Sequence, residues 1–386
     1  MRSIAFRIGL SVLFILMGLS LLECSMKEKT TGTNSESYRV YVGTYTSGES
    51  EGIYIYQLNR QTGELSYLSK FVGIDDPSFL AIHPAKTFLY SVSEGGKKDG
   101  SISAFRINSE SGELEFLNKQ SSGGRGPAHV NVDGSGRWVL TANYGGGSVA
   151  ILPIRKDGSL GPPTDVRKHQ GSGIDPKRQK EPHPHSIWVS PDNRFAFVPD
   201  LGIDKIMIYK LDLKNGKLLT NDPPYFKTAP GAGPRHFTFH PNGRYAFVIN
   251  ELNSTITAMK YDATAGALTK VQTIRTVPDE YTGINYCADI HTSPDGRYVY
   301  GSNRGHNSIA VFSFDDQTGT LKLIECESTQ GDWPRNFAID PDGKILLAAN
   351  QRSDNVVTFF IDQKTGELTP TGFQAEISMP VCLKLL

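Results

Sequence analysis

The sequence predicts an all-β chain: a seven-bladed β-propeller of four-stranded antiparallel blades, its closing blade shared between the N- and C-terminal strands. Three observations predict it. A turn signature, Asn or Asp with Gly-x-Leu closing a seven-residue stretch, recurs as NRQTGEL ending at Leu65, NSESGEL at Leu114, DLKNGKL at Leu218, DATAGAL at Leu268, DDQTGTL at Leu321 and DQKTGEL at Leu368, with a shorter RKDGSL at Leu160. Between these copies runs a second signature, an apolar run, a Pro-rich turn and another apolar run: IWVSPDNRFAFV, FTFHPNGRYAFV, IHTSPDGRYVYG and FAIDPDGKILLA, with LAIHPAKTFLYS and VNVDGSGRWVLT as looser copies. The ends complement each other. YRVYVGTYTSGESEGIYIYQLNRQTGEL supplies three strands without a first, and MPVCLKLL supplies a first strand with nothing after it.

The chain begins MRSIAFRIGLSVLFILMGLSLLEC. Arg2 and Arg7 ahead of an apolar run read as an export signal over residues 1–24. Cys24, directly after the run, has the place of a bacterial lipoprotein attachment site, although Glu23 departs from the small residue usual there. Residues 25–37 have no apolar periodicity and read as a tether. Residues 38–386 form the propeller as a single domain. The expected location is therefore periplasmic, or membrane-anchored through the lipid, and the expected state is a monomer.

Each blade opens on a strand A, followed by B, C and D. Strand A begins just after Pro77, Pro127, Pro184, Pro234, Cys287, Pro334 and Pro380, intervals of 46 to 57 residues, about the length of four strands and their turns. Gly in the first signature supplies the positive φ that closes the C–D hairpin. Pro with Asp or Asn in the second favours a type I turn between A and B. His83 and His240, beside Pro in such turns, are expected to be exposed.

Lys and Arg total 40, as do Asp and Glu, so no net charge draws the chain to nucleic acid or an anionic membrane. Cys287, Cys326 and Cys382 lack metal-ligand spacing and read as buried thiols. No metal or cofactor is expected. His183 and His185, two apart on a strand, would face opposite ways, which argues against a two-His metal pair. YGGGS at 144–148 reads as a B–C turn.

In a propeller, strand A lines the central channel, and the start of A lies on the same face as the end of B. Counting one residue past each A-start gives Ser78, Ala128, His185, Arg235, Ala288, Arg335 and Val381. Counting 17 past gives Glu94, Tyr144, Leu201, Glu251, Arg304 and Gln351, with Tyr45 equivalent in the closing blade. Ionisable groups thus gather in four consecutive blades. Packing alone would favour small apolar residues there, because buried charge is costly unless paired. Arg335 and Glu94 are further candidates on register alone. The insertion 165–183, with Arg167, Lys168, Lys177, Arg178 and Lys180, is expected over the same mouth, where its charge could draw in an anion.

The stretches YVGTYTSGESEGIYIYQL, GRWVLTANYGGGSVAILPI, RQKEPHPHSIWVSPDNRFAFVPDLGIDKI, GAGPRHFTFHPNGRYAFVINELNSTI and SPDGRYVYGSNRGHNSIAVF resemble the seven-bladed lactonase family, which includes propeller-type 6-phosphogluconolactonases and 3-carboxy-cis,cis-muconate lactonising enzymes. The resemblance covers residues 38–386. It implies a metal-free site of His185 in PHPHS, Arg235 in GPRH, Glu251 in NEL and Arg304 in SNRG, the four residues the register count also selects. Lactone opening needs a general base, His185 or Glu251, and cations for the oxyanion and an anionic substituent, Arg235 and Arg304. Arg335, His183 and Glu94 are expected to support substrate binding, with His183 packing over the site from its loop. The expected partner is a small anionic lactone or sugar acid. Two alternatives stay open: cyclisation by the same residues in the reverse sense, and a non-catalytic exported platform for carbohydrate or peptide.

Overall fold

The computed structural model describes residues 36–95 and 99–386, and the export segment with Cys24 lies outside them. Seven four-stranded antiparallel sheets are present. Strands A of blades one to six are Leu80–Ile82, Pro127–Val132, Trp188–Val189, Pro234–Phe239, Tyr286–Thr292 and Pro334–Ile339. Blade seven joins Pro380–Leu385 as strand A to Ser37–Thr44, Gly52–Asn59 and Leu65–Val72, with Val40 opposite Leu385 and Val42 opposite Leu383. Pairing the two ends leaves the ring without an open edge. One short 3-10 turn, Leu201–Ile203, is the only helix among the described residues.

The two repeat signatures meet in space and latch each blade to the next. Turn glycines of the first signature have positive φ, +64° at Gly216 and +78° at Gly366. A Cβ on Gly216 would collide with the Trp138 ring of the preceding blade, and one on Gly366 with the Tyr298 ring. Each turn therefore needs Gly twice, for its dihedral and for the aromatic beneath it. Buried tyrosines add hydrogen bonds across the same seam: Tyr90 Oη donates to Gly158 O and Tyr300 Oη to Gly366 O, both at 3.0 Å. The A–B turn histidines belong to this device and are not the exposed residues expected. His240 is buried and its Nε2 lies 2.8 Å from Gly296 O. His83 is half-buried, with Nε2 2.9 Å from Gly136 O.

Between blades, β-branched, aliphatic and aromatic side chains fill the core, such as Phe197 stacked on Phe237 at 5.4 Å. Cys287 and Cys382 are buried within it and Cys326 is half-buried. Burial raises the Cys287 thiol to about 12 and Cys382 to about 11, which suits packing more than nucleophilic chemistry. YGGGS is the expected B–C turn.

The start of strand A carries the feature that builds the channel mouth. Pro234 pairs with Asn250, but the next pair is His236 with Ile249, so Arg235 is an extra residue. The same offset leaves Ala128, Arg335 and Val381 unpaired in their blades. Each is a β-bulge, which frees one side chain from the pleat and aims it elsewhere. Opposite two of these bulges, Asn143 and Asn350 end their B strands, and Asn303 is the last but one residue of its own. Each Nδ2 donates to the chain at or just past strand D of the preceding blade: to Ser122 O at 3.0 Å, Thr276 O at 2.7 Å and Thr329 O at 3.0 Å. The residue after each Asn is thereby fixed at the rim.

Candidate active site

The charged bulges and B-strand ends open on a cavity of about 630 Å³ at one mouth of the channel. His185, Glu251, Arg304, Arg335 and Glu94 line it, with Tyr144, Arg125, Arg178, Tyr286, Trp333 and Arg352. Among the expected residues, Arg235 lies one layer deeper. It lines a second, small cavity of about 10 Å³ beneath, together with His185, Glu94 and Arg335.

Glu251 is the hub. Its Oε2 accepts from Arg235 Nε at 3.0 Å and from Arg304 Nη2 at 2.8 Å, and its Oε1 accepts from Arg178 Nη2 at 2.6 Å. Burial alone would raise its pKa, but Arg304, Arg235 and Arg178 outweigh that and hold it well below the usual carboxylate range. The guanidiniums are tied down in turn. Arg235 Nη1 donates to Ala288 O at 2.6 Å, and Arg304 donates to Tyr286 O at 3.2 Å and Cys287 O at 2.8 Å. Burial, then the like charges of Arg304 and Arg335, lowers the Arg235 pKa to about 9, still a cation at neutral pH.

His185 is 5% exposed. Its Nδ1 is enclosed without a protein partner, which leaves Nε2 as the ring nitrogen toward the cavity. Burial, then the charges of Arg235 and other neighbours, pushes its pKa well below the ordinary value, so the ring is neutral at pH 7. Arg335 Nη2 donates to Tyr45 Oη at 2.9 Å, and Glu94 accepts from Tyr45 Oη at 2.9 Å and Ser78 Oγ at 2.5 Å. This side is a hydroxyl-bridged chain from cation to carboxylate.

The insertion before blade three meets the mouth through one residue. Asp165–Lys168, expected within that insertion, instead forms strand D of blade two. That removes Arg167 and Lys168 from the mouth, and Arg167 pairs with Asp165 at the outer edge. The Pro162–Pro163 pair after RKDGSL delays this strand and disguises it. The rest is pinned by buried Gln179, whose Nε2 donates to Leu201 O at 2.8 Å and Asp204 Oδ1 at 2.7 Å. Arg178, next in sequence, thus reaches Glu251 from above. Its guanidinium also lies over the Tyr286 ring at 5.8 Å. His183 does not line the cavity. It stacks on Tyr144 at 4.4 Å, its Nδ1 is 3.0 Å from Tyr144 O, and its backbone N–H donates to Asp200.

Sequence reasoning missed Trp333 and Arg352. Trp333 precedes strand A of blade six with φ +67°, a left-handed conformation costly for a bulky residue. Asn307 Oδ1 accepts from its N–H at 3.0 Å, and its carbonyl accepts from Gln351 N–H at 3.1 Å. The indole is 3.5 Å from the Arg352 guanidinium and 5.4 Å from that of Arg304. Among the described residues, no cluster of three His, Cys, Asp or Glu gathers to hold a metal.

Five arginines and two glutamates line the cavity, which gives this propeller mouth a net positive charge beside a neutral imidazole. The sequence model of the family described as "Lactonase, 7-bladed beta-propeller" matches residues 39–385, and the chain belongs to that family. It is 42% identical over 349 residues to the 6-phosphogluconolactonase of Bacillus subtilis, spanning 90% of this chain and 98% of that protein. A 6-phosphogluconolactonase of Formosa agariphila is 40% identical over 312 residues, 78% of this chain and 86% of that one. Among solved structures, the periplasmic gluconolactonase of Pseudomonas aeruginosa superposes with a TM-score of 0.86 at 34% identity, covering 91% of this chain and 99% of that one.

Proposed function

We propose that the protein hydrolyses an anionic sugar lactone, such as a phosphorylated or oxidised aldonolactone, in the cavity over the channel. The observation that carries this reading is the division of labour at the mouth. Glu251 has both oxygens engaged by guanidiniums, whereas His185 is neutral and neither of its ring nitrogens is held by another protein group. Of the two candidate bases, His185 is the one with a free lone pair.

In this reading His185 Nε2 takes a proton from the attacking water, a contribution of about 10²–10⁴-fold. Arg304, fixed by Glu251 and two carbonyls, and Arg335 face the carbonyl oxygen as it gains charge. Arg178 and Arg352 receive the anionic substituent, where a planar guanidinium can bind an oxyanion bidentately. Arg235 and Glu251 form the floor: Glu251 orders three guanidiniums, and Arg235 adds positive potential from below. Glu94 and Tyr45 hold Arg335, and His183 steadies Tyr144. Leaving-group protonation follows from the proton that His185 has accepted.

Export by residues 1–24, lipidation at Cys24 and a monomeric state complete the proposal. The periplasmic setting of the Pseudomonas aeruginosa relative supports an exported site. The described residues include no helix long and apolar enough to cross a membrane. The test is lactone consumption with gluconolactone and its 6-phosphate, corrected for spontaneous opening. Replacement of His185 by Asn should remove about 10²–10⁴ of kcat while leaving the fold intact. Turnover that survives this replacement unchanged would refute the assignment. Fractionation of cells carrying Cys24→Ala should move the protein from membrane to soluble fraction.

A further inference from the structure

One residue below the bulges, strands A of blades two, four and five place a second group of titratable side chains inside the channel: His129, His236 and Asp289, all buried. His236 Nδ1 lies 2.7 Å from Asp289 Oδ1. The other Asp289 oxygen accepts from His291 Nε2 at 3.0 Å and from the Asn336 amide, and Oδ1 accepts in addition from Ile290 N–H. A carboxylate so surrounded stays ionised and fixes the His236 proton on Nδ1, so Nε2 must carry the lone pair. That Nε2 is buried and has no protein partner, as is true of His185 Nδ1. The two rings are 5.4 Å apart, centre to centre. Both line the small cavity of about 10 Å³ beneath the site, a size that takes one water.

We infer that His236 is a positioning residue for His185, coupled to it through a single water in this cavity and oriented from behind by Asp289. The inference rests on His185 being the base of lactone opening. One orphan nitrogen is a donor and the other an acceptor, so one water satisfies both: His185 Nδ1–H donates to its oxygen, and one of its O–H groups donates to His236 Nε2. With Nδ1 as the donor, His185 leaves Nε2 unprotonated toward the substrate. During attack, the nucleophilic water forms a bond to the carbonyl carbon and loses a proton to His185 Nε2. The Nδ1 proton passes to the cavity water, and a proton of that water passes to His236 Nε2, giving an imidazolium paired with Asp289. When the ring C–O bond breaks, its electron pair stays on the ring oxygen, and the proton returns by the reverse route to that alkoxide. Lactone and water are consumed, hydroxy acid is formed, and both imidazoles end neutral.

Several groups set the His236 environment. From the front these are Arg235 and His185, from blade two His129, and from blade five Asp289 and His291. Lys384 of blade seven lies over Phe79, which packs on both His129 and His236. Burial and the nearby Arg235 lower the His236 pKa to about 4 despite Asp289, so the ring is an acceptor at neutral pH.

The test uses the full chain with His236→Asn, which keeps an amide donor where Nδ1 stands and removes the group facing the cavity. Thermal unfolding and circular dichroism check the fold. On the faster of gluconolactone and its 6-phosphate, kcat should drop about 10–100-fold, with KM within about twofold and the acid limb of the kcat–pH profile displaced. Asp289→Asn should displace the same limb, and it decides the matter if the first variant does not fold. Ring ¹H–¹⁵N spectra of histidine-labelled protein read the coupling without turnover: His185 should be the Nδ1–H tautomer in the parent and a mixture in the variant. A folded variant with parental kcat, pH profile and His185 tautomer overturns the inference. A parent that opens neither lactone, yet shows the tautomer change, overturns the lactonase reading and leaves the coupling standing.

Discussion

The two sides of the channel mouth share one backbone device in four blades and differ there in side chains. In blades three, four and six the residue after the A-start is His185, Arg235 or Arg335. In blades one, two and seven the same position holds Ser78, Ala128 or Val381. Paired register and bulge are common to Ala128, Arg235, Arg335 and Val381. The difference teaches that the propeller supplies equivalent positions, and that chemistry arises where adjacent ones carry groups that satisfy each other. Arg235 and Arg304 are tolerable because Glu251 lies between them. Ala128 and Val381 need no partner and give the cavity room on the opposite side.

Breaking the hub should have the largest effect. Glu251→Ala leaves Arg235 and Arg304 buried without their shared counter-ion, a loss of about 3–5 kcal/mol measurable by denaturant unfolding, and it should abolish turnover as well. A stability change no larger than that of a surface substitution would show that the two sides differ less than their charges suggest. Arg304→Lys keeps the charge but loses the fork that binds Glu251 and two carbonyls at once, so kcat/KM should fall about 10²-fold with little change in unfolding midpoint.

Acid sharpens the comparison in another way. His185, His129 and His236 all have folded pKa values depressed by burial, His236 to about 4. The unfolded chain binds protons at these rings below about pH 6.5 while the folded chain does not. Stability is therefore present at neutral pH and declines as pH falls through that value, by up to about 1.4 kcal/mol per pH unit for each ring. Glu251 and Asp289, depressed in the folded state, add their loss only as pH falls into the ordinary carboxylate range. Unfolding midpoints from neutrality down to about pH 4 should show the first decline well before the second. His129 lies one residue past Ala128, so His129→Phe should flatten part of the slope. The smallest effect is expected for Ser78→Ala, which removes one of the two hydroxyls on Glu94. It should cost about 1 kcal/mol and change kcat/KM less than a few-fold.

The repeat made the architecture legible, because Gly at a C–D turn and Pro at an A–B turn each mark a fixed place in a blade. The rings were countable for the same reason. The A-start and its partner Asn keep a spacing of 16 in blades two, four, five and six. Arg178 was visible as one of several loop cations, but only the Gln179 anchor distinguishes it from Lys177 and Lys180, and that anchor is a tertiary contact. Trp333 gave no local signal, since its left-handed backbone depends on Asn307 and Gln351. The His236–Asp289 pair was within reach. Counting one residue further past each A-start gives Phe79, His129, Ser186, His236, Asp289, Asn336 and Cys382, a third ring whose polarity is visible without coordinates. His183 was expected to pack over the site from its loop, and it does so at one remove, stacked on the cavity residue Tyr144 without lining the cavity itself.

The bulge has a consequence for descent. A side chain that stands outside the strand ladder can be exchanged without disturbing a single interstrand bond, so mutation at those positions is judged by what it does to ligands and hardly at all by what it does to assembly. Lineages that share this ring can drift to new substrates one blade at a time while the scaffold stays under separate, stricter selection.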